Sequence, residues 1–587
     1  MDRAAVARRV HAPVMEKFSF CLIVGLSLWL RSMPGAAIEP DEVLKESTFV
    51  PMRDGIKLDT NIFRPPNAAE PLPVLFARIP YSQDGFEPEA RRMAAAGYVA
   101  ITQDSRGRYG SEGVYSLYWG EGRDGFDMVK WIREQPWCNG KVATWGPSYM
   151  GSVQWLTAAN RTPLDAMVPT ASAACFYQNV YRDGAYILTL LRWGIGASLY
   201  GEQTSLGGSP KWNEEWYMHL PLNKFEELIN YKAPVQREMI EHNTPDGFWK
   251  EVDASLDIPT MDIPVLHMVG YYDFLCRATV YNFQMMKHKS ATHRSRENQQ
   301  LIIGPWDHGT GGTKVGDVDF GEVARVDVPG ETLGWVDRYL KGIGAGTPYP
   351  TVRYFSMGEN KWYTATDWPP PEAKDTPYYL QSGGKANTRG GDGKLGVEMP
   401  SSEQSEDTFV ADPADPVPAV PAQGKAYIDS FGAFDQQAAL DRQDVLVYIT
   451  PPLEKGVSFA GTPYAELWVS ADTPDADWVV KLLDVHPDGF AHPLATGIRR
   501  GSARDSDLIR EPLEPGKIYR INVNIGHCAA RVQPGHRLGV QIQGSHFPVY
   551  DRNTNTSEGP SGSKTLVSHE KVYHSAARPS CVHLPVM

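Results

Sequence analysis

One short segment has the residue types and spacing of a serine nucleophile. Ser148 lies in Gly146-Pro-Ser-Tyr-Met-Gly151, between an apolar strand and an apolar helix predicted over Val153–Ala159. This setting is typical of a nucleophile elbow, in which a sharp turn lifts a serine hydroxyl above a sheet. The strict G-x-S-x-G pattern would place glycine at position 150, where this chain has Met150. By itself the match is not specific, because glycine and serine are common in turns that only connect elements.

A general base and an acid that could orient it occur later in the chain, with the acid before the histidine, as expected when a serine nucleophile lies on an α/β sheet. The strand Ile263–Val269 runs into Gly270-Tyr-Tyr-Asp273, and the strand Gln300–Ile303 runs into Gly304-Pro-Trp-Asp-His308. Functional groups collect at the carboxyl ends of strands in such sheets. Asp273 could instead cap a helix and His308 could be a surface loop residue. Three strand-end residues in the required order favour a triad.

Several neighbouring polar residues are weaker candidates. Asp307 is the rival acid, but adjacent residues seldom orient one another's side chains. His267 lies inside a strand, which indicates a core or supporting residue. Arg106 and Arg108 could bind an anionic substrate, but a glycine-rich turn that also contains Glu112 more often forms an internal ion-pair network. We therefore assign both arginines a structural role.

The pattern of apolar runs divides the chain into three kinds of structure. Up to about residue 340, short β-branched runs alternate with segments long enough for helices, which predicts an α/β domain with a largely parallel sheet. Residues 176–260 carry helical patches instead and predict a cap over the sheet edge. The later strand-like runs predict an all-β sandwich or jelly roll. The predicted domains are thus residues 38–175 and 261–345 (α/β core), 176–260 (cap) and 346–587 (β domain).

Composition excludes several classes of protein. The 587 residues carry a net charge of −13, with 42% hydrophobic and 22% charged residues, which is typical of a folded globular protein. An acidic chain of this kind lacks the basic surface of a nucleic-acid binder. The six cysteines are scattered and match neither a disulfide framework nor a zinc pattern, although one disulfide remains open.

Residues 1–37 have the pattern of an export signal. Four basic residues precede an apolar run from Phe18 to Leu30, and Pro34-Gly-Ala-Ala37 follows. The run is too short to span a bilayer but suits the core of a signal peptide, with cleavage near Ala37. We expect a secreted or periplasmic protein. Because Arg31 directly follows the run, an uncleaved N-terminal anchor is the alternative.

The combined motifs resemble the cocaine esterase family of serine hydrolases, which includes α-amino-acid ester hydrolases, glutaryl-cephalosporin acylases and X-Pro dipeptidyl peptidases. The similar segments run in order from about residue 49 to residue 585 and include Arg78–Tyr81, Asp104–Gly113, Trp145–Gly151, Gly270–Asp273, Gly304–His308, Asp412–Pro418, Gly535–Arg537 and Asn553–Thr556. The resemblance implies an α/β-hydrolase core, an inserted helical cap and a C-terminal jelly roll. It assigns Ser148, Asp273 and His308 to the triad.

The resemblance also implies an oxyanion hole made by the backbone N–H of Tyr149 and the phenol of Tyr81. The position of Tyr81 agrees, because it follows a strand in the loop that usually supplies the second oxyanion donor. A phenol stays a neutral donor at pH 7. The alternative is a tyrosine that only packs in the core.

Sequence features near the predicted acid bear on the substrate. Relatives that act on amino esters carry acidic residues behind the triad aspartate, whereas this chain has Phe274-Leu-Cys276. We therefore expect a small-molecule ester with an apolar or aromatic acyl group, hydrolysed through an acyl-enzyme without metal or organic cofactor. An amidase, acylase or X-Pro dipeptidyl peptidase with the same triad is the nearest alternative, and a non-catalytic binding protein is another. A homo-oligomer remains open.

Overall fold

The computed structural model describes residues 38–199, 214–229, 232–420 and 431–587, and these residues form one compact unit. The predicted signal peptide, residues 1–37, and residues 200–213 of the predicted cap lie outside the described residues. In the described part of the chain, no helix is long and apolar enough to cross a membrane. All five cysteines of the described residues are unpaired.

The N-terminal part is built on a ten-stranded sheet whose middle is parallel. Its strands, in spatial order, are Leu44–Pro51, Lys57–Arg64, Val99–Asp104, Leu72–Ile79, Cys138–Pro147, Ala166–Thr170, Val265–Gly270, Gln299–Gly304, Val352–Ser356 and Lys361–Ala365. The first two and the last strand pair antiparallel with their neighbours. Every residue of the strands ending at Asp104, Gly270 and Gly304 is buried, as expected for a parallel sheet covered on both faces.

Helices cover both faces of this sheet and connect its strands. The α-helices of the core are Glu87–Ala95, Glu121–Arg133, Tyr149–Ala159, Cys276–Lys289, His293–Glu297 and Val328–Val336. The fold class predicted from the alternating pattern is confirmed: an α/β domain is followed by a β-rich domain.

The sheet extends beyond the predicted end of the core. The prediction placed residues 346–587 together in the C-terminal domain. In the structure, Val352–Ser356 pairs in parallel with Gln299–Gly304 and forms a hairpin with Lys361–Ala365. The α/β sheet therefore continues to Ala365. An exposed edge strand can pair with one more strand, and this pairing does not depend on where the pattern of apolar residues in the sequence changes.

The segment between the sheet strands ending at Thr170 and beginning at Val265 is mostly helical. Its described α-helices are Phe176–Val180, Leu188–Leu199, Glu214–Tyr217, Glu226–Ile229 and Pro234–Glu241, followed by 3₁₀ turns at Trp249–Val252 and Ala254–Thr260. A two-residue hairpin (Tyr181–Arg182 with Ala185–Tyr186) interrupts it. This segment is called the cap below.

The C-terminal domain is a 13-stranded, almost wholly antiparallel sheet system. Its strands are Lys374–Gln381, Lys394–Gly396, Asp407–Ala411, Val445–Ile449, Val457–Gly461, Tyr464–Ala471, Asp477–Val485, Ala491–Arg500, Tyr519–Asn524, Cys528–Val532, Arg537–Gln543, Ser568–Tyr573 and Cys581–Val586. The jelly-roll connectivity stays a prediction.

A buried ion network joins this β domain to the cap. The guanidinium of Arg500 donates to Asp477 at 2.8 Å and to Asp551 at 3.0 Å, and Asp551 also accepts the backbone N–H of Tyr186. All three charged side chains are at least nine-tenths buried. Since one arginine neutralises two carboxylates, its loss would leave two anions in the interior.

We predict that Arg500→Leu destabilises the protein strongly, by about 3–5 kcal/mol, because removing one partner of a buried ion pair leaves an uncompensated charge. The matched control is Arg389→Leu, which breaks a surface pair with Asp441 (2.7 Å) and should cost at most about 1 kcal/mol. Thermal unfolding of the two variants checks this. Equal melting temperatures would show that the buried network contributes no more than a surface pair.

Candidate active site

Ser148 sits in a strained turn between the strand Cys138–Pro147 and the helix Tyr149–Ala159. Its backbone has φ 58° and ψ −122°, a conformation that costs a non-glycine residue about 1–3 kcal/mol. The turn is held because the N–H of Ser148 donates to the carbonyls of Thr170 (3.0 Å) and Ala171 (3.2 Å) on the neighbouring strand end. This is the geometry of the elbow that the sequence predicted.

The structure explains the departure from the strict glycine pattern. A Cβ on Gly151 would lie 2.6 Å from the Cβ of Ser172 and 3.0 Å from the carbonyl of Thr170. The position that must be small is thus 151, where the helix crosses the neighbouring strand end. Met150 is buried, and a Cβ on Gly146, whose φ is +132°, would lie 2.7 Å from its side chain. The turn therefore retains two tightly packed glycines, with the second shifted by one residue.

Asp273 and His308 are brought together by the register of two parallel strands. Val265–Gly270 and Gln299–Gly304 pair with Gly270 opposite Gly304, so the loops that follow leave the sheet side by side. His308 Nδ1 lies 2.9 Å from Asp273 Oδ2, and the other carboxylate oxygen of Asp273 accepts the N–H of Leu275 at 2.8 Å. The carboxylate is fully buried, so its charge acts on the imidazole with little screening.

The imidazole completes a hydrogen-bonded row with the serine. His308 Nε2 lies 2.9 Å from Ser148 Oγ. With Nδ1 donating to the carboxylate, Nε2 is free to accept the serine proton, which is the tautomer a general base requires. The three residues predicted from the sequence are therefore in hydrogen-bond contact, in the order acid, imidazole, hydroxyl.

The pKa of His308 reflects two opposing effects. Burial of the ring would lower it, but the carboxylate of Asp273 outweighs that effect and raises the pKa of His308 above its usual 6.5. Asp307 adds a smaller upward contribution through space. Its own carboxylate accepts the N–H of Gly309 at 2.8 Å, a local turn bond. Asp307 therefore does not take the place of Asp273, in line with its low rank in the sequence analysis.

Tyr81 places its hydroxyl next to the serine. It follows the strand Leu72–Ile79, and its hydroxyl accepts the indole N–H of Trp193 at 3.0 Å and interacts with the side chain of Ser148, which lowers the pKa of Tyr81 slightly. Although 37% of the residue's surface is exposed, the loss of water around the oxygen raises the pKa of Tyr81 to about 12. The phenol therefore stays protonated at neutral pH and can donate a hydrogen bond.

Tyr149 begins the helix after the serine, where backbone N–H groups have no partner within the helix. Its side chain is buried and fixed by contacts on the far side: the hydroxyl lies 2.7 Å from the Leu117 carbonyl and 2.8 Å from the Glu121 carboxylate. Glu121 pairs in turn with Arg78 at 3.1 Å. This network holds the start of the helix, and with it the Tyr149 N–H, in place.

Two residues support Tyr81 through contacts that the sequence did not predict. Trp193, noted only as a cap tryptophan, donates to the Tyr81 hydroxyl. Arg108 donates to the carbonyl of Pro80 at 2.7 Å and to that of Ala197, and so ties the Tyr81 loop to the cap helix. Local sequence holds no signal for either contact, because both join segments about 90 or more residues apart.

Arg106 and His267, which the sequence analysis also considered, have structural roles. Arg106 forms ion pairs with Asp54 (2.8 Å) and Asp124 (2.7 Å), as expected of an internal network, although Glu112 is not its partner. His267 is fully buried, and burial lowers its pKa to about 4. It is therefore neutral at pH 7 and part of the core.

One group in the described part of the chain has ligand atoms close enough to hold a metal ion: Asp484, His486 and His536, all in the β domain. The Asp484–His536 hydrogen bond of 2.8 Å accounts for two of them. None of Ser148, His308 and Asp273 belongs to this group of possible metal ligands. That the enzyme needs no cofactor stays a prediction.

The chain matches the X-Pro dipeptidyl-peptidase (S15 family) domain over residues 54–310 and the X-Pro dipeptidyl-peptidase C-terminal non-catalytic domain over residues 344–583. It is 32% identical to cocaine esterase of Rhodococcus sp. (strain MB1 Bresler), over 92% of this chain and 98% of that protein. The chain belongs to the S15 family of serine hydrolases.

Two solved structures are similar to this chain over nearly its whole length. An α-amino acid ester hydrolase is 26% identical and matches with a TM-score of 0.81 over 95% of this chain and 98% of that one. An aminopeptidase from a marine sediment Thaumarchaeota archaeon is also 26% identical, with a TM-score of 0.79 over 97% of this chain and 100% of that one. The resemblance to this family of hydrolases is thereby confirmed.

We predict that Tyr81→Phe lowers kcat about 10²–10³-fold with little change in KM, because a donor to the developing oxyanion matters most in the transition state. Trp193→Phe, which removes the bond to the phenol and keeps an aromatic ring beside Tyr118 and Tyr149, should cause a smaller loss. Tyr363→Phe, which removes a 2.7 Å bond to Glu359 in the outer hairpin, is the control. Steady-state kinetics and melting temperatures check this; a normal kcat for Tyr81→Phe contradicts it.

We also predict that kcat/KM falls on the acid side with a midpoint above pH 6.5, since His308 must be neutral to accept a proton and Asp273 raises its pKa. Asp273→Asn should lower kcat by about 10⁴-fold and shift the midpoint to lower pH. Asp307→Asn should keep most of the activity and shift the midpoint only slightly. A severe loss in Asp307→Asn with a mild one in Asp273→Asn would reverse the assignment of the acid.

Proposed function

We propose that this S15-family hydrolase cleaves carboxylic esters through an acyl-enzyme, with Ser148 as nucleophile, His308 as general base and acid, and Asp273 as the orienting carboxylate. The observation that carries the proposal is the row of two 2.9 Å contacts from Asp273 through His308 to Ser148. Cocaine esterase and an α-amino acid ester hydrolase, both named for ester substrates, support the same reaction class.

The proposed reaction follows from these contacts. His308 Nε2 takes the proton of Ser148 as the oxygen attacks the ester carbonyl, and Asp273 stabilises the imidazolium that forms. The carbonyl oxygen becomes an anion between the Tyr81 hydroxyl and the Tyr149 N–H. The imidazolium then gives its proton to the leaving alcohol. Water, deprotonated by the same imidazole, attacks the acyl-enzyme and releases the acid.

A peptidase acting on free N-termini is the alternative, because the family name and the archaeal aminopeptidase point to it. Such an enzyme must neutralise the ammonium group of its substrate. Behind Asp273 the chain has Phe274, Leu275 and Cys276 in place of carboxylates. A cavity between the cap and the β domain is lined by Asp273 and Phe274. Asp273 is the one carboxylate among the described residues that line it, and it is already hydrogen-bonded to His308. These side chains favour an ester whose acyl group carries no ammonium.

We predict that a fluorophosphonate probe labels the protein and that Ser148→Ala abolishes both labelling and hydrolysis of phenyl acetate. Ser152→Ala is the matched control: this serine lies on the same helix, is buried, and accepts the N–H of Ala173. It should keep its labelling. Labelling that persists in Ser148→Ala would refute the nucleophile.

Ester and peptide activities are separated by comparing phenyl acetate with acetanilide and an Xaa-Pro anilide on one enzyme preparation. The ester should be the substrate with by far the highest kcat/KM. An Xaa-Pro anilide that is cleaved faster than the ester would assign the peptidase function instead.

A further inference from the structure

Two histidines and a buried aspartate meet at one end of a strand pair in the C-terminal β domain. Asp484 lies near the end of the strand Asp477–Val485, His486 follows directly after that strand, and His536 immediately precedes the strand Arg537–Gln543. One side-chain nitrogen or oxygen atom of each residue lies within 4.8 Å of those of the other two. The proposed hydrolysis uses none of the three.

Backbone hydrogen bonds hold the segments that carry these side chains. The two strands are hydrogen-bonded neighbours in the sheet and run antiparallel. The N–H of His486 donates to the carbonyl of Phe490 at 2.9 Å, which closes the turn after the first strand. The carbonyl of His536 accepts the N–H of Leu453 at 2.8 Å. The three side chains therefore extend from one strand end and two adjoining turns whose backbone positions are fixed.

The distances within the cluster fit the coordination of one small divalent ion. His536 Nδ1 lies 2.8 Å from one carboxylate oxygen of Asp484, and His486 Nε2 lies 3.7 Å from the other. The two imidazole rings are neighbours, with centroids 4.4 Å apart. Ligand atoms bound to a tetrahedral Zn²⁺ ion at about 2.0–2.1 Å are about 3.3 Å from one another. Small rotations of the two rings would therefore bring all three side chains to coordinating distance.

The carboxylate of Asp484 has no permanently charged partner in the part of the chain that the structure describes. Only 5% of its side chain is exposed, and its ion-pair contacts are with His486 and His536, not with a lysine or an arginine. A carboxylate taken out of water is costly unless a positive charge compensates it. A divalent cation between the aspartate and the two imidazoles would supply that charge.

The two imidazoles are accessible, and their chemistry selects the kind of ion. The side chains of His486 and His536 are 32% and 20% exposed, so an ion can reach them without unfolding of the domain. Imidazole nitrogen is a good ligand for zinc and the neighbouring transition metals, whereas Ca²⁺ and Mg²⁺ prefer oxygen ligands. Three protein ligands leave the fourth position of a tetrahedral ion to water.

We propose that Asp484, His486 and His536 bind one Zn²⁺ ion or a similar divalent transition-metal ion, which joins the turn after the strand Asp477–Val485 to the beginning of the strand Arg537–Gln543. Coordination replaces the 2.8 Å hydrogen bond between Asp484 and His536, and the proton of that bond goes to solvent. The ion compensates the buried carboxylate and stabilises this end of the β domain. The inference does not depend on the proposed function, because the triad supplies no ligand.

The first test measures Zn²⁺ binding to the tag-free protein after treatment with EDTA and removal of the chelator. Titration calorimetry should show one site per chain that fills before any weaker ones. Saturating Zn²⁺ should raise Tm, because a ligand that binds only the folded state stabilises it. Ca²⁺ at the same concentration should do neither. A wild type without such a Zn²⁺ site, or with equal binding of Ca²⁺, overturns the inference.

Variants assign the ion to these residues. His486→Phe and His536→Phe keep a ring and remove a ligand, and each should lower the Zn²⁺ affinity about a hundredfold or more, because losing even a hydrogen-bond partner of a metal ligand costs about 10–100-fold. Asp484→Asn should also weaken binding. The matched control is His569→Phe, which removes a histidine that pairs with Asp472 at 2.8 Å in the same domain and should leave the affinity unchanged. Unchanged affinity in both of the first two variants overturns the inference.

Two measurements on the wild type decide the question if the variants do not fold. Diethyl pyrocarbonate modifies accessible imidazoles, and Zn²⁺ should protect His486 and His536 but not His569, as mapped by mass spectrometry. Co²⁺ in place of Zn²⁺ should give the visible absorption of a site with nitrogen and oxygen ligands. Equal modification with and without Zn²⁺ is incompatible with the proposed site. So is a thiolate-to-cobalt charge-transfer band, which would place the ion at a cysteine.

Discussion

The close approach of two glycines at the ends of parallel strands determines the geometry of the site. Gly270 lies opposite Gly304, and a Cβ on Gly270 would be 1.9 Å from the carbonyl oxygen of Trp306. That carbonyl accepts the N–H of Tyr272 at 3.0 Å, so the two loops are bonded directly where they leave the sheet. Any side chain at position 270 would force them apart and lengthen the 2.9 Å contact between Asp273 and His308.

This constraint explains why so much of the site could be predicted from the sequence. The positions of Ser148, Asp273 and His308 are each set by a strand, a glycine and a short loop, and all three features are local. The proposed second oxyanion donor, Tyr81, also follows a strand, although its role was inferred mainly from the family resemblance. Local patterns were sufficient wherever backbone pairing alone positions a side chain.

Contacts between distant segments could not be predicted in the same way. Trp193 and Arg182 lie in a cap with little strand signal, and their partners Tyr81 and Phe274 are about 90 or more residues away. The extension of the α/β sheet to Ala365 was missed for a related reason: strand propensity indicates that residues 352–356 are extended but not which sheet edge they join. The packing of the folded chain, and not its local pattern, decides these features.

The two proposed oxyanion donors are held by different means, which connects the cap to the chemistry. The Tyr149 N–H belongs to the core, because the ring of that residue is fixed through Glu121 to Arg78. The Tyr81 hydroxyl depends on the cap: Trp193 donates to it, and Arg108 joins Pro80 to the same cap helix.

That helix belongs to the cap, whose hairpin carries Arg182 in the wall of the cavity that Asp273 and Phe274 also line. A substrate whose acyl group contacts the cap would therefore contact the segment that also positions one of the two proposed oxyanion donors. Binding energy gained at the far end of an acyl group can in this way stabilise the arrangement of groups around the carbonyl, where it contributes to kcat and not only to KM.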